Sequence, residues 1–155
     1  MTSSPKDESL DSISRTLAQV VRLTSSRSLF ARDASAAGVA LTQPSYALLR
    51  VLIDHGPLAM GALARGAHMD MGMATRQVTS LVDAGFVTRT ANPADLRIAL
   101  VEVTTRGRRA AAKLLDVRIG HLQRALAAWT TAELDELDGL LTRFVVDLVT
   151  TPTDD

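Results

Sequence analysis

The sequence contains no cysteine, which excludes disulfides, thiolate metal sites and thiol-based redox sensing. Aromatic residues make up only 3% of it, so a core must be built from leucine, valine and alanine. It has no apolar run of about eighteen residues, and the opening MTSSPKDES is polar. Neither membrane insertion nor secretion is expected, and a cytoplasmic protein is. His55, His68 and His121 form no His-x-x-x-His pair and have no acidic cluster beside them. No glycine-rich phosphate loop and no Ser, His and Asp arrangement stands out, so no metal, cofactor or enzymatic activity is expected. The chain also has no net charge, with 17 basic and 17 acidic residues.

Those charges are unevenly placed. From Arg65 to Arg124 there are ten Arg or Lys against five Asp or Glu, and from Thr130 to Asp155 one against seven. Such a split suits a protein with one phosphate-facing side and an acidic end turned away from it. A chain of 155 residues with 46% hydrophobic content suits one domain, 1–155.

Asp70 to Thr104 organises the rest. Ala74, Val78, Leu81 and Val82 recur at helical spacing, Asp70 is placed to cap and Gly85 to stop the helix, which predicts one helix from Met71 to Ala84. Phe86 and Val87, then Ile98, Leu100, Val101 and Val103, are β-type residues. Asn92 to Asp95 reads NPAD, which is turn chemistry. A hairpin therefore follows the helix directly.

Upstream, Ile13, Leu17, Val20, Val21, Leu23 and Phe30 predict a helix from Leu10 to about Arg32, with residues 1–9 frayed and 34–41 a loop. Thr42 or Gln43 caps the next helix, Pro44 sits in its first turn, and Tyr46, Leu49, Leu52 and Ile53 form its buried face until His55, Gly56 and Pro57 end it. Met60 to Ala67 has the length of the first half of a helix-turn-helix. Downstream, Thr104 or Thr105 opens a long helix with Ala111, Leu115, Arg118, Leu122, Leu126 and Trp129 on one stripe. Arg106, Arg108, Arg109 and Lys113 crowd its first turns, where they oppose the helix dipole and invite an anion. Thr130 and Glu133 form a capping box for a last helix carrying Leu134, Leu137, Leu141, Phe144 and Leu148. The helices at the two ends carry more apolar surface than a small winged helix can cover, which marks an interface.

The run Leu81, Gly85, Phe86, Val87 and Arg89, then Asp95 and Arg97, then Val101, Val103, Thr104 and Gly107 resembles the winged helix-turn-helix of the multiple antibiotic resistance regulator (MarR) family. The resemblance implies a mainly α fold with a small β-hairpin wing, residues 43–104 forming the DNA-binding part and 10–33 with 105–150 a dimerisation layer. It implies a homodimeric regulator of transcription, a repressor responsive to an effector, with double-stranded DNA as partner. Met71, Gly72 and Met73 stand where family members often carry Ser, Thr or Pro, and His68 where many carry Gly. These departures keep open an alternative, a winged-helix module that works through protein partners.

Thr75, Arg76 and Gln77 fall near the start of the second motif helix, where side chains reach base edges: Arg to guanine, Gln to adenine, Thr to a thymine methyl. Arg76 equally suits a phosphate or a salt bridge. Gly72 costs about 1 kcal/mol in a helix relative to Ala but lets backbone approach a phosphate. Met71 and Met73 fit either base contact or core, with Met71 expected to be partly exposed. Arg65 and Arg89 are expected on phosphate, and Arg97 at the hairpin tip suits a narrow minor groove. The resemblance implies that Asp95 orients Arg97. It also implies a small aromatic or phenolic effector, for which Arg22, Phe30, Tyr46 and Arg50 are the candidates, although Tyr46 also fits a core position.

Overall fold

In the computed structural model, which describes residues 4–152, helices begin where short polar side chains can satisfy free backbone donors. Ser4 caps α1 (Pro5–Thr24): its hydroxyl accepts from the Lys6 N–H at 3.4 Å, and the Asp7 carboxylate accepts from the Ser4 N–H at 3.1 Å. The rest of the order is α2 (Arg27–Ala36), α3 (Gln43–His55), β1 (Leu58–Ala59), α4 (Met60–Gly66), α5 (Met71–Asp83), β2 (Val87–Asn92), β3 (Asp95–Val103), α6 (Thr105–Ala125) and α7 (Thr131–Thr150). This is the mainly helical fold with a small β-wing that the sequence implies. No helix among the described residues is long and apolar enough to cross a membrane.

Four expectations are corrected. The single first helix is two: Thr24 donates its hydroxyl back to the Val20 carbonyl at 2.8 Å, and Ser26 starts a new helix by accepting the Leu29 N–H at 3.3 Å. A run of hydroxyl side chains offers the backbone local bonds that compete with continuing the helix. Residues 5–9 are helical rather than frayed, residues 1–3 lie outside the described part, and α2 continues to Ala36 into the expected loop. Finally, α6 ends at Ala125, so Leu126 and Trp129 are not on it.

The chain divides into two units between Arg118 and Ile119, inside α6. The first is organised around a core in which Leu48, Leu49, Leu52, Leu63, Val78, Leu81, Val101 and Leu114 are essentially inaccessible. Burying each leucine contributes about 1.5–3 kcal/mol, and these residues come from α3, α4, α5, β3 and α6, so the core fixes α5 against its neighbours. The three-stranded sheet has the order β1-β3-β2, all antiparallel. Its two-residue strand β1, too short to show a period, pairs Leu58 with Val101 and Ala59 with Leu100. By contrast, α1 buries no residue. In the second unit α7 also buries none.

Two turns set the direction of α5. At its end Gly85, with φ 72°, donates to the Val82 carbonyl and Phe86 donates to that of Leu81, both at 2.9 Å. This Schellman closure needs a left-handed residue, and it drives Phe86 into the core. At the end of α4 the same bonds recur, from His68 to Arg65 and from Met69 to Ala64, but the left-handed position is His68 at φ 51°. A side chain there costs about 1–2 kcal/mol. His68→Gly is therefore expected to raise stability by about 0.5–1 kcal/mol, the relieved strain less the extra freedom of glycine in the unfolded chain. Urea denaturation reads the change, and a loss of stability would show that the imidazole makes compensating contacts.

The capping box of α7 forms as its sequence predicts. The Glu133 carboxylate accepts from the Thr130 N–H at 2.7 Å, and the Glu133 N–H donates to the Thr130 hydroxyl at 3.3 Å. The Glu133 carboxyl is held below its ordinary value, mainly by that backbone bond and then by the Thr130 hydroxyl. Its contribution is thus complete above the ordinary carboxylate range and is lost as pH falls through the lowered value. Helicity followed by circular dichroism should show this acid-side loss, and Glu133→Gln, which cannot titrate, should abolish that component.

Candidate nucleic-acid interface

Helices α4 and α5, joined by the His68 turn, form a helix-turn-helix whose second member turns two different faces to its surroundings. Ala74, Val78 and Leu81 are buried, while Met71, Gly72, Thr75, Arg76, Thr79 and Ser80 are exposed. Asp70 caps the helix, its carboxylate accepting from the Met73 N–H at 2.8 Å. The N-terminal turns are the part of such a helix that approaches base edges.

Five of the expected contact residues meet there. A Cβ on Gly61 would lie 3.6 Å from both an Arg65 guanidinium nitrogen and the Met71 methyl, so these two side chains converge over α4. A Cβ on Gly72 would lie 3.5 Å from an Arg76 guanidinium nitrogen and 3.2 Å from an Asp70 carboxylate oxygen, so Arg76 lies over the first turn beside the cap. Thr75 donates its hydroxyl proton to the Met71 carbonyl at 2.7 Å, and Thr79 donates to Thr75 at 3.0 Å. With their protons committed, these hydroxyls are left as acceptors, and their methyls remain free for a thymine. Met71 is 52% exposed, in keeping with the sequence reading.

Gln77 behaves differently. Its carbonyl accepts from the Ser45 hydroxyl at 2.8 Å and the Thr42 hydroxyl at 3.2 Å, pinning α5 to the start of α3. Reading adenine through both groups of the amide needs that carbonyl, so a base contact by Gln77 would require it to give up these bonds to α3. The sequence carried no sign of a bond across 32 residues.

The wing supplies the remaining members. β2 and β3 pair from Val87↔Val103 to Ala91↔Ala99 and then jump to Asn92↔Asp95, which leaves Leu96, Arg97 and Ile98 in a bulge. Asn92 accepts the Ala94 N–H at 2.9 Å, closing the tip. Asp95 accepts the Arg97 backbone N–H at 3.0 Å, so it holds Arg97 by the main chain. Arg89 and Arg97 are exposed, as is Leu96 beside them at 78%. The bulge gave no signal in the alternation of the sequence.

The expected effector residues are only partly brought together. Phe30 and Tyr46 meet with ring centroids 6.0 Å apart, but both are buried in the core. Arg22 lies on exposed α1, in a furrow lined by that helix alone, and Arg50 pairs with Asp54 one turn along its own helix. The cation over the two rings is Arg118, at 5.9 Å from Phe30 and 5.7 Å from Tyr46. The sequence reading had placed it only on a helical stripe. Thr104 donates to the Gly85 carbonyl at 2.7 Å and so sets the basic start of α6 at the C-terminal end of α5.

A capped helix presenting polar side chains outward, preceded by a packed partner helix and followed by a hairpin with an arginine tip, defines a winged helix-turn-helix. A model of the MarR family matches residues 41–99. A probable transcriptional regulator of Pseudomonas aeruginosa is 31% identical at a TM-score of 0.64, covering 85% of this chain and 96% of that one. RV1404 of Mycobacterium tuberculosis superposes at a TM-score of 0.75 with 25% identity, over 94% and 98% of the two chains. The HTH-type transcriptional regulator YxaD of Bacillus subtilis is 29% identical over 103 residues, 66% of this chain and 72% of its own. The chain belongs to the MarR family.

Proposed function

We propose that this DNA-binding transcriptional regulator acts as a homodimeric repressor that binds a pseudo-palindromic operator and is released by a small organic effector. The observation that carries DNA reading is the exposed patch of Met71, Gly72, Thr75 and Arg76 at the start of α5, flanked by Arg65 of α4 and in the same unit as the Arg97 wing. Bases are read from that patch in the major groove, and the wing adds minor-groove shape.

Dimerisation is supported by the apolar surface left uncovered. Leu10, Ile13, Val20 and Val21 on α1 are exposed, as are Ile119 and Leu122 on α6 and Leu141, Val145 and Val146 on α7. A second copy covering these faces would remove from water surface that a monomer rarely exposes. Sedimentation at micromolar concentration should give a dimer. Footprinting on the DNA upstream of its own gene should protect two half-sites related by a two-fold, about 10 bp apart. A monomer, or a single protected half-turn, would refute the geometry.

Affinity should fall steeply with salt, since each neutralised phosphate contributes about −0.9 to the log-log slope. Because each substitution removes one phosphate contact from both subunits of the dimer, Arg65→Ala and Arg89→Ala should each flatten the slope by about 1.8 without changing base preference. An unchanged slope in either variant would remove that residue from the phosphate contacts. Effector release is read by repeating the gel-shift with a panel of phenolic compounds.

A further inference from the structure

The first unit holds a second concave feature that the reading of DNA does not use. A cleft of about 720 Å³ opens between the 38–40 loop, Phe86 and the first turns of α6. It lies at the C-terminal end of α5, about 20 Å along that 13-residue helix from Met71. Arg106, Arg109 and Lys113, spaced three and four apart on one stripe of α6, line it together with Val39, Phe86 and Ala110. Among the described residues no carboxylate lines it. The ion pairs found among the described residues, Asp11 with Arg15 and Arg50 with Asp54, involve none of its cations. Arg106 lies 5.6 Å over the Phe86 ring, which fixes its position and leaves its N–H groups available.

We infer that this cleft binds a small phosphate monoester with an apolar body. Three uncompensated cations converge on one cavity, so a monocarboxylate would leave most of their charge unanswered. A phosphate monoester carries about −1.5 to −2 charges at pH 7 and three strong acceptor oxygens. It meets Arg106, Arg109 and Lys113 together, the arginines through paired N–H donors. Val39, Ala110 and the Phe86 ring then receive the organic part, and the volume lies within the range of small-molecule sites, about 300–1,000 Å³. The site needs only the fold of the first unit, and it stands independently of repression.

Titration calorimetry of the full chain with phenyl phosphate, phthalate and benzoate tests this. Phenyl phosphate should bind once per chain and at least tenfold more tightly than either carboxylate. Arg109→Ala/Lys113→Ala should weaken it tenfold or more, with unchanged circular dichroism because both side chains are exposed, whereas Arg124→Ala should not. The inference is overturned if phenyl phosphate gives no saturable binding, if phthalate binds as tightly, or if the double variant binds as well as the parent. Duplex DNA from upstream of the gene supplies the second arm, and the double variant should retain its affinity for it. A loss there as large as the loss for phenyl phosphate would assign the cations to the DNA backbone and overturn the inference. If the parent chain binds no duplex, the proposed regulatory function fails while the calorimetry still decides the cleft.

Discussion

Gly107→Ala should destabilise the first unit by about 3 kcal/mol, the upper part of the range for overpacking a close contact. A Cβ on Gly107 would lie 2.1 Å from the Phe86 carbonyl oxygen and 3.0 Å from both the Phe86 carbonyl carbon and a Val103 methyl. Two of those atoms are backbone, so no rotamer change relieves the clash. The Phe86 carbonyl already accepts from the Thr104 N–H at 3.0 Å, and the Thr104 hydroxyl accepts from the Gly107 N–H at 3.0 Å. Moving α6 outward to make room would break both bonds. Gly107→Ala and the parent compared by urea unfolding give the result directly. A change below about 0.5 kcal/mol, as at an ordinary surface site, would mean that the start of α6 is free to shift.

The second large effect is on binding. Arg97→Ala should leave stability within about 0.5 kcal/mol, because the residue is an exposed member of a bulge. Operator affinity should fall by about 1–3 kcal/mol per wing, and preference for A·T-rich flanks should weaken. Asp95→Asn should be mild, since an amide oxygen can still accept the Arg97 N–H, and Asp95→Ala should be more severe because it frees the tip. Fluorescence anisotropy on matched operators measures all three variants. Full affinity with unchanged flank preference in Arg97→Ala would show that the arginine is only solvated.

The elements legible in the sequence were those whose causes are local. Asp70 and Gly85 bracket α5, Thr130 and Glu133 open α7, and Asn92 to Asp95 turn the hairpin, each through bonds spanning a few residues. Where local bonds competed, the reading failed: the hydroxyls of residues 24–28 divide a helix whose apolar positions resume on the same spacing at Phe30, seven residues after Leu23. The site split along the same line. Exposure of Met71, Thr75 and Arg76 follows from their place on an amphipathic helix. The bonds of Gln77 to Thr42 and Ser45 were not legible, because those partners lie at the start of another helix. Likewise Arg118 reaches Phe30 and Tyr46 only through tertiary packing, and no spacing in the chain announces it.

The joint at Phe86 has a mechanical meaning. β2 leaves it immediately and runs six residues to the wing tip, a lever of about 20 Å at strand rise. The first turn of α6 is clamped to the same carbonyl. A rotation of about 3° at this pivot displaces the tip by about 1 Å, given that lever length. Hydrogen bonds weaken steeply over such a displacement. A tilt of the first turn of α6 would thus reach the base of β2 through the Phe86 carbonyl, beside the close contact at Gly107.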